Sequence, residues 1–114
     1  MTKISEEMIE KAYEIYFTDD QDITPLLNMG MNEGSAKMTM TWFKKLFDGE
    51  LYKRSGSEMQ IEWILNKLYE TYDFKRLALA LESLKKYCEF YDEMPMIRVR
   101  QLIKEFEVKL DNSW

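Results

Sequence analysis

Residues 30–54 read GMNEGSAKMTMTWFKKLFDGELYKR, from Gly30 to Arg54, and the fold is decided by how this stretch is read. It divides into a glycine turn, a helix, a second glycine stop and a basic-aromatic tail. Asn32 or Ser35 can cap the helix, because a short side-chain oxygen accepts a hydrogen bond from the free N–H groups of a first turn. Gly49 suits the other end, where a residue without a Cβ can turn left-handed and release the chain. Just upstream, Thr24-Pro25-Leu26-Leu27 predicts a short helix with proline in its first turn. Two helices joined by a glycine-containing turn are the minimal form of a helix-turn-helix.

Working outward toward the N-terminus, Ser5 can cap a first helix, with Glu6 and Glu7 near its positive end. Met8, Ile9, Ala12, Tyr13, Tyr16 and Phe17 recur at helical spacing and predict its buried face. The acidic segment Thr18-Asp19-Asp20-Gln21-Asp22 ends it. This segment lacks the sharp-turn glycine and closing glutamate of a calcium loop, so no metal is expected there.

Toward the C-terminus, residues 48–57 read as a loop or basic turn. Ser57-Glu58-Met59-Gln60 has the form of a capping box. The helix it opens carries Ile61, Ile64, Leu65, Leu68 and Tyr72 on one stripe. Asp73 can cap the next helix, whose Leu77, Leu81, Leu84, Cys88 and Tyr91 alternate in steps of four and three, a seam suited to antiparallel packing. Pro95 is expected to close that helix and begin a last one buried through Val99, Ile103, Phe106 and Leu110. The expectation is an all-α fold: one compact domain over residues 1–114, with about five or six helices and a helix-turn-helix-like element. Its core should include Phe43, Ile61, Leu65, Leu68, Leu81, Leu84, Ile103 and Phe106.

The chemistry within reach of this chain is narrow. It has no histidine, which removes the commonest general base and metal ligand. The lone Cys88 can form neither an internal disulfide nor a zinc cluster; it reads as a small buried residue in a reduced, cytoplasmic setting. The stretch GMNEGS lacks the lysine and hydroxyl residue that end a phosphate-binding loop. No window reaches bilayer-spanning length, and MTKISEEMIE carries no apolar signal segment. The expectation is a non-catalytic binding module with no cofactor and no membrane association.

The formal charge of −5 opposes nucleic-acid binding as a whole, but it is unevenly spread. Acids dominate up to Thr24, whereas Lys37, Lys44, Lys45, Lys53 and Arg54 outnumber Asp48 and Glu50 between Ser35 and Arg54. One reading is therefore a DNA-binding surface. Ser35, Lys37, Met38 and Thr41 would lie on the outer face of a recognition-like helix, with Lys44, Lys45, Lys53 and Arg54 on phosphates. The plainer reading of these lysines is that they solvate helix faces. A protein-interaction module (an adaptor, a self-associating subunit or a small inhibitor of a bacterial or phage protein) is the other functional reading. Nine methionines, six phenylalanines, seven tyrosines and three tryptophans exceed what a small core readily hides, and such residues suit partner surfaces. Trp42, Trp114 and the Phe90-Tyr91 pair are candidates, and simple core filling is the bland alternative. A contiguous basic strip would favour DNA; an apolar patch rimmed by acids would favour a protein partner.

From Leu27 onward the order of landmarks resembles a known family. It is similar to the helical N-terminal module that precedes the nuclease domain in some bacterial HNH-type restriction endonucleases. The residues that carry the resemblance are Gly30-Met31-Asn32-Glu33-Gly34-Ser35-Ala36, then Phe43, Leu46, Asp48-Gly49-Glu50 and Tyr52-Lys53-Arg54. It continues through Ile61-Glu62-Trp63-Ile64-Leu65-Asn66-Lys67-Leu68-Tyr69, then Leu84-Lys85-Lys86-Tyr87-Cys88-Glu89-Phe90-Tyr91 and Ile97-Arg98. These are turn and packing residues. An HNH centre needs histidine, so the resemblance implies engagement of DNA or a partner protein beside a nuclease, and no cleavage.

Overall fold

Short polar side chains open most of the helices. In the computed structural model, which describes residues 4–113, Ser5 Oγ accepts the Met8 N–H at 3.2 Å ahead of α1 (Glu6–Tyr16). Before α2 (Thr24–Asn28), Asp22 Oδ1 accepts both the N–H and the hydroxyl of Thr24, at 3.0 and 2.6 Å. Asn32 Oδ1 accepts the Ser35 N–H at 2.8 Å and so caps α3 (Glu33–Phe47), leaving Ser35 inside the first turn. Ser57 and Gln60 form the reciprocal capping box of α4 (Glu58–Glu70). Asp73 caps α5 (Phe74–Phe90) through the Arg76 N–H. Only α6 (Ile97–Asp111) among the six begins without a side-chain cap or proline, after a left-handed Met96 (φ 41°). The described residues are all-helical, with these six helices and no strand.

Helix ends repeat one device. After α2, the Met31 N–H donates to Leu26 O at 3.1 Å and the Gly30 N–H to Leu27 O at 3.0 Å. The same pair of bonds recurs after α3, from Glu50 to Lys45 O and from Gly49 to Leu46 O, and after α4, from Asp73 to Leu68 O and from Tyr72 to Tyr69 O. Each is the six-residue closure in which one left-handed residue turns the chain and satisfies the last carbonyls. Gly30 (φ 98°) and Gly49 (φ 72°) occupy that place in the first two; Tyr72 (φ 59°) occupies it in the third.

By packing, the chain falls into two compact units, with the boundary between Phe43 and Lys44, inside α3. In the first, α1 and α2 pack together, and Met8, Ile9, Ala12, Ile15, Leu26, Met31 and Ala36 are buried. Tyr13 and Tyr16 set their ring edges against the buried Phe43, at centroid distances of 6.5 and 5.9 Å. In the second, α4, α5 and α6 pack pairwise. Ile61, Ile64, Leu65 and Leu68 of α4, Leu77, Ala80, Leu81, Leu84 and Cys88 of α5, and Val99, Leu102, Ile103, Phe106 and Leu110 of α6 fill its core. A side chain of this kind contributes about 1.5–3 kcal/mol on full burial, which outweighs the few tenths available from any surface ion pair. All eight expected core residues are buried.

Three local expectations are corrected. Phe17 lies one residue past α1 and is 43% exposed, so the helical spacing that includes it runs on beyond the helix. Tyr72 continues the α4 spacing from Leu68, but its left-handed backbone turns it outward and it is 80% exposed. Pro95 does not end α5, which already stops at Phe90; the Met94 N–H closes a turn onto Tyr91 O before proline is reached.

Candidate functional site

The basic-aromatic tail of residues 49–54 is held by α5 and by Tyr91 just past its end. Ser83 Oγ donates to Glu50 O at 2.5 Å, Lys86 Nζ to Gly49 O at 2.7 Å, and Tyr91 hydroxyl to Lys53 O at 3.2 Å. Lys53 Nζ lies 4.5 Å from the Phe90 ring centroid. The spacing explains part of the selection: Ser83, Lys86 and Phe90 follow one another at steps of three and four along one face of α5, and Tyr91 follows just past the helix end. Three loop carbonyls, of Gly49, Glu50 and Lys53, are thereby satisfied by side chains, and the loop is fixed to the helix without any strand or disulfide.

The seven residues expected on DNA have separate fates. Ser35 is half-buried; its N–H is taken by Asn32 and its carbonyl by the Thr39 hydroxyl, so its backbone N–H is not free for a phosphate. Thr41 is exposed, with its hydroxyl on Lys37 O. Lys37 pairs with Glu33 at 2.9 Å, and that lysine holds the Glu33 carboxyl below the usual range. Lys45 pairs with Glu50 at 2.7 Å, and their hydrogen bond raises the lysine and lowers the glutamate. Lys44, Lys53 and Arg54 are exposed and form no ion pair among the described residues. Ser35, Lys37 and Thr41 belong to the first unit, and Lys44, Lys45, Lys53 and Arg54 to the second. Intervening carboxylates thus offset two of the five cations.

The α5–α6 turn supplies a different surface in the second unit. Phe90, Met94 and Ile97 are 47%, 53% and 65% exposed, and Glu89, Asp92 and Glu93 stand exposed among them. The turn is braced from beneath by Arg100, whose guanidinium donates to Pro95 O at 3.1 Å and to Cys88 O at 3.3 Å. Sequence reading picked out Phe90 but not Met94 or Ile97. Those two follow helical spacing into α6, and nothing local marks them as facing solvent.

No group of three or more cysteine and carboxylate side chains among the described residues could hold a metal ion. The acidic segment after α1 spends its polar groups locally: Thr18 Oγ1 donates to Ile15 O and Asp20, Gln21 Nε2 to Tyr16 O, and Asp22 receives Thr24. Among the described residues no helix is long and apolar enough to cross a membrane. Trp114 lies outside the described residues. Compared with known proteins, the chain matches no family model, no curated protein and no solved structure.

Proposed function

We infer that this chain is a non-catalytic protein-interaction module that presents the α5–α6 turn to a partner. The carrying observation is that Phe90, Met94 and Ile97 are exposed along one turn, with exposed Glu89, Asp92 and Glu93 interleaved with them in sequence and Lys53 over the Phe90 ring, and that Arg100 bonds the carbonyls of Cys88 and Pro95. The aromatic ring of Phe90 has few rotatable bonds and the turn is already fixed, which lowers the ordering cost of association, while the flexible Met94 can adapt to the shape of a partner. The three acids of the turn suit a partner that carries basic groups beside an apolar surface. The resemblance to the helical module beside HNH-type nucleases fits a part that docks and does not cut.

A second reading, contact with DNA, is favoured by Lys44, Lys53 and Arg54, which are exposed and form no ion pair among the described residues. It is weaker, because Lys37 and Lys45 are matched by Glu33 and Glu50.

Crosslinking of the full chain in cells that make it, beside sedimentation of the pure protein, separates the two. Ile97→Asp places an acid in the first turn of α6, where the helix tolerates negative charge, so the fold should persist. It should erase a discrete crosslinked partner or self-association that Lys44→Ala with Arg54→Ala leaves intact. Duplex DNA bound at low salt, with a log–log salt slope that drops by about two in that lysine–arginine variant, would instead establish the DNA reading.

A further inference from the structure

At the opposite end of α5 from Phe90, the chain accepts a backbone cost at Tyr72. Its place after α4 is the left-handed one that Gly30 and Gly49 fill after α2 and α3, and a side chain there is strained. Burial does not compensate, because the ring is 80% exposed. The ring instead joins a cluster. It meets Phe74 at a centroid distance of 6.0 Å and 75°, and Phe74 meets Tyr69 at 5.8 Å and 38°. Tyr69, Tyr72 and Phe74, together with Glu70 and Ser113, line an open depression of about 580 Å³.

We propose that this depression is a binding site for a methylated ammonium group, with Tyr69, Tyr72 and Phe74 as its aromatic walls and Glu70 as its countercharge. Ring faces carry negative charge density and attract a cation held within about 6 Å of the centroid. The cluster already shows this property: Lys109 Nζ lies 5.5 Å from the Tyr69 centroid and 4.6 Å from that of Phe106. Glu70 is exposed and forms no ion pair among the described residues, whereas the nearby Asp73 is matched by Arg76 at 2.7 Å. The three rings touch one another at centroid distances of 5.8 and 6.0 Å, so they form one angled wall, and a trimethylammonium group would rest against the side of that wall that lines the depression beside Glu70. A bare ammonium would lose its hydration in such a place; methylation lowers that cost. The cation can be carried by free choline or by a trimethylated lysine of another protein.

The test is a titration of the full chain, followed by tyrosine and phenylalanine ring resonances, with choline and with its neutral isostere 3,3-dimethyl-1-butanol. Choline should saturate the Tyr69, Tyr72 and Phe74 signals and bind about tenfold more tightly than the isostere. Tyr72→Gly should abolish binding while the melting temperature stays at or above that of the parent, because glycine relieves the left-handed strain. Glu70→Gln should weaken binding, and Lys109→Met, which removes a competing cation, should strengthen it. A short peptide with one trimethyl-lysine, beside its unmethylated twin, identifies the source: tighter binding than choline points to a modified protein, weaker to a small molecule. Equal binding of choline and the isostere, or choline binding unchanged by Tyr72→Gly, would overturn the proposal.

Discussion

Lys45 and Glu50 are joined twice, once through backbone and once through side chains. The Glu50 N–H donates to Lys45 O at 2.9 Å, and Lys45 Nζ lies 2.7 Å from Glu50 Oε2. An ion pair thus sits across the same residues that close the end of α3, where an apolar contact is the commoner companion. Their hydrogen bond holds the Glu50 carboxyl below its usual range, so the unfolded chain binds its proton more readily than the folded one. The stability this contributes is present above the unfolded pKa and is lost as pH falls through the folded one. Glu33, lowered by Lys37, and Asp22, lowered by its Thr24 hydrogen bonds, act in the same direction. Urea midpoints should therefore fall on acidification through the carboxylate range, and less so in Glu50→Gln. An equally steep fall in that variant would show that the pair is not coupled to folding.

The two left-handed glycines should differ in their tolerance of alanine. Both substitutions carry the left-handed backbone cost, about 1–2 kcal/mol. A Cβ on Gly30 would meet nothing within 4 Å, whereas one on Gly49 would lie 3.1 Å from Leu79 Cδ2 and 3.4 Å from Leu79 O. Gly49→Ala should lower the denaturation midpoint more than Gly30→Ala. The reverse order, measured by urea unfolding, would show that Leu79 yields freely.

In the second unit, Leu81 is 3% exposed within the seam of α5. Leu81→Ala should cost about 2–5 kcal/mol, read as a clear drop in the thermal or urea midpoint. An unchanged midpoint would mean that the site collapses around the cavity or that the seam carries little of the stability.

Cys88 is 2% exposed, and burial pushes its thiol pKa up, with Arg100 opposing only in part. The sulfur's inaccessibility and its raised pKa both withhold thiolate from reagents. Reaction with an aromatic disulfide should be slow for the folded chain and roughly tenfold or more faster in denaturant. Equal rates would place the sulfur within reach of solvent.

Much of the helical plan could be read from local signals. Ser5, Ser57 and Asp73 cap where their side-chain chemistry predicts, and Pro25 stands in the first turn of α2. These are interactions over a few residues, so the order of residue types suffices to predict them. Helical spacing, in contrast, carries no mark of where the helix stops: Phe17 and Tyr72 continue an apolar period past the last helical residue and turn into solvent. Ala80, Ser83 and Leu102 were missed as core residues because two are small and the third lies beside a stripe already filled. The candidate surfaces were less legible still. Which lysines keep their charge free depends on Glu33 and Glu50, and which carbonyls hold the loop depends on residues of α5 more than thirty positions away.

That distance gives the loop anchor a kinetic character. The Ser83–Glu50 bond joins positions 33 apart, and those of Lys86 with Gly49 and Tyr91 with Lys53 join positions 37 and 38 apart. Closing such a loop costs entropy that is recovered only once α4 and α5 have docked, so the expected order puts these bonds after the rate-limiting step of folding. They then act as a latch on the way out. Removing the Ser83 hydroxyl by Ser83→Ala, worth about 1 kcal/mol, should speed unfolding about fivefold and leave the refolding rate nearly unchanged. The loop would set how long each folded molecule survives, and have little influence on how fast it is made.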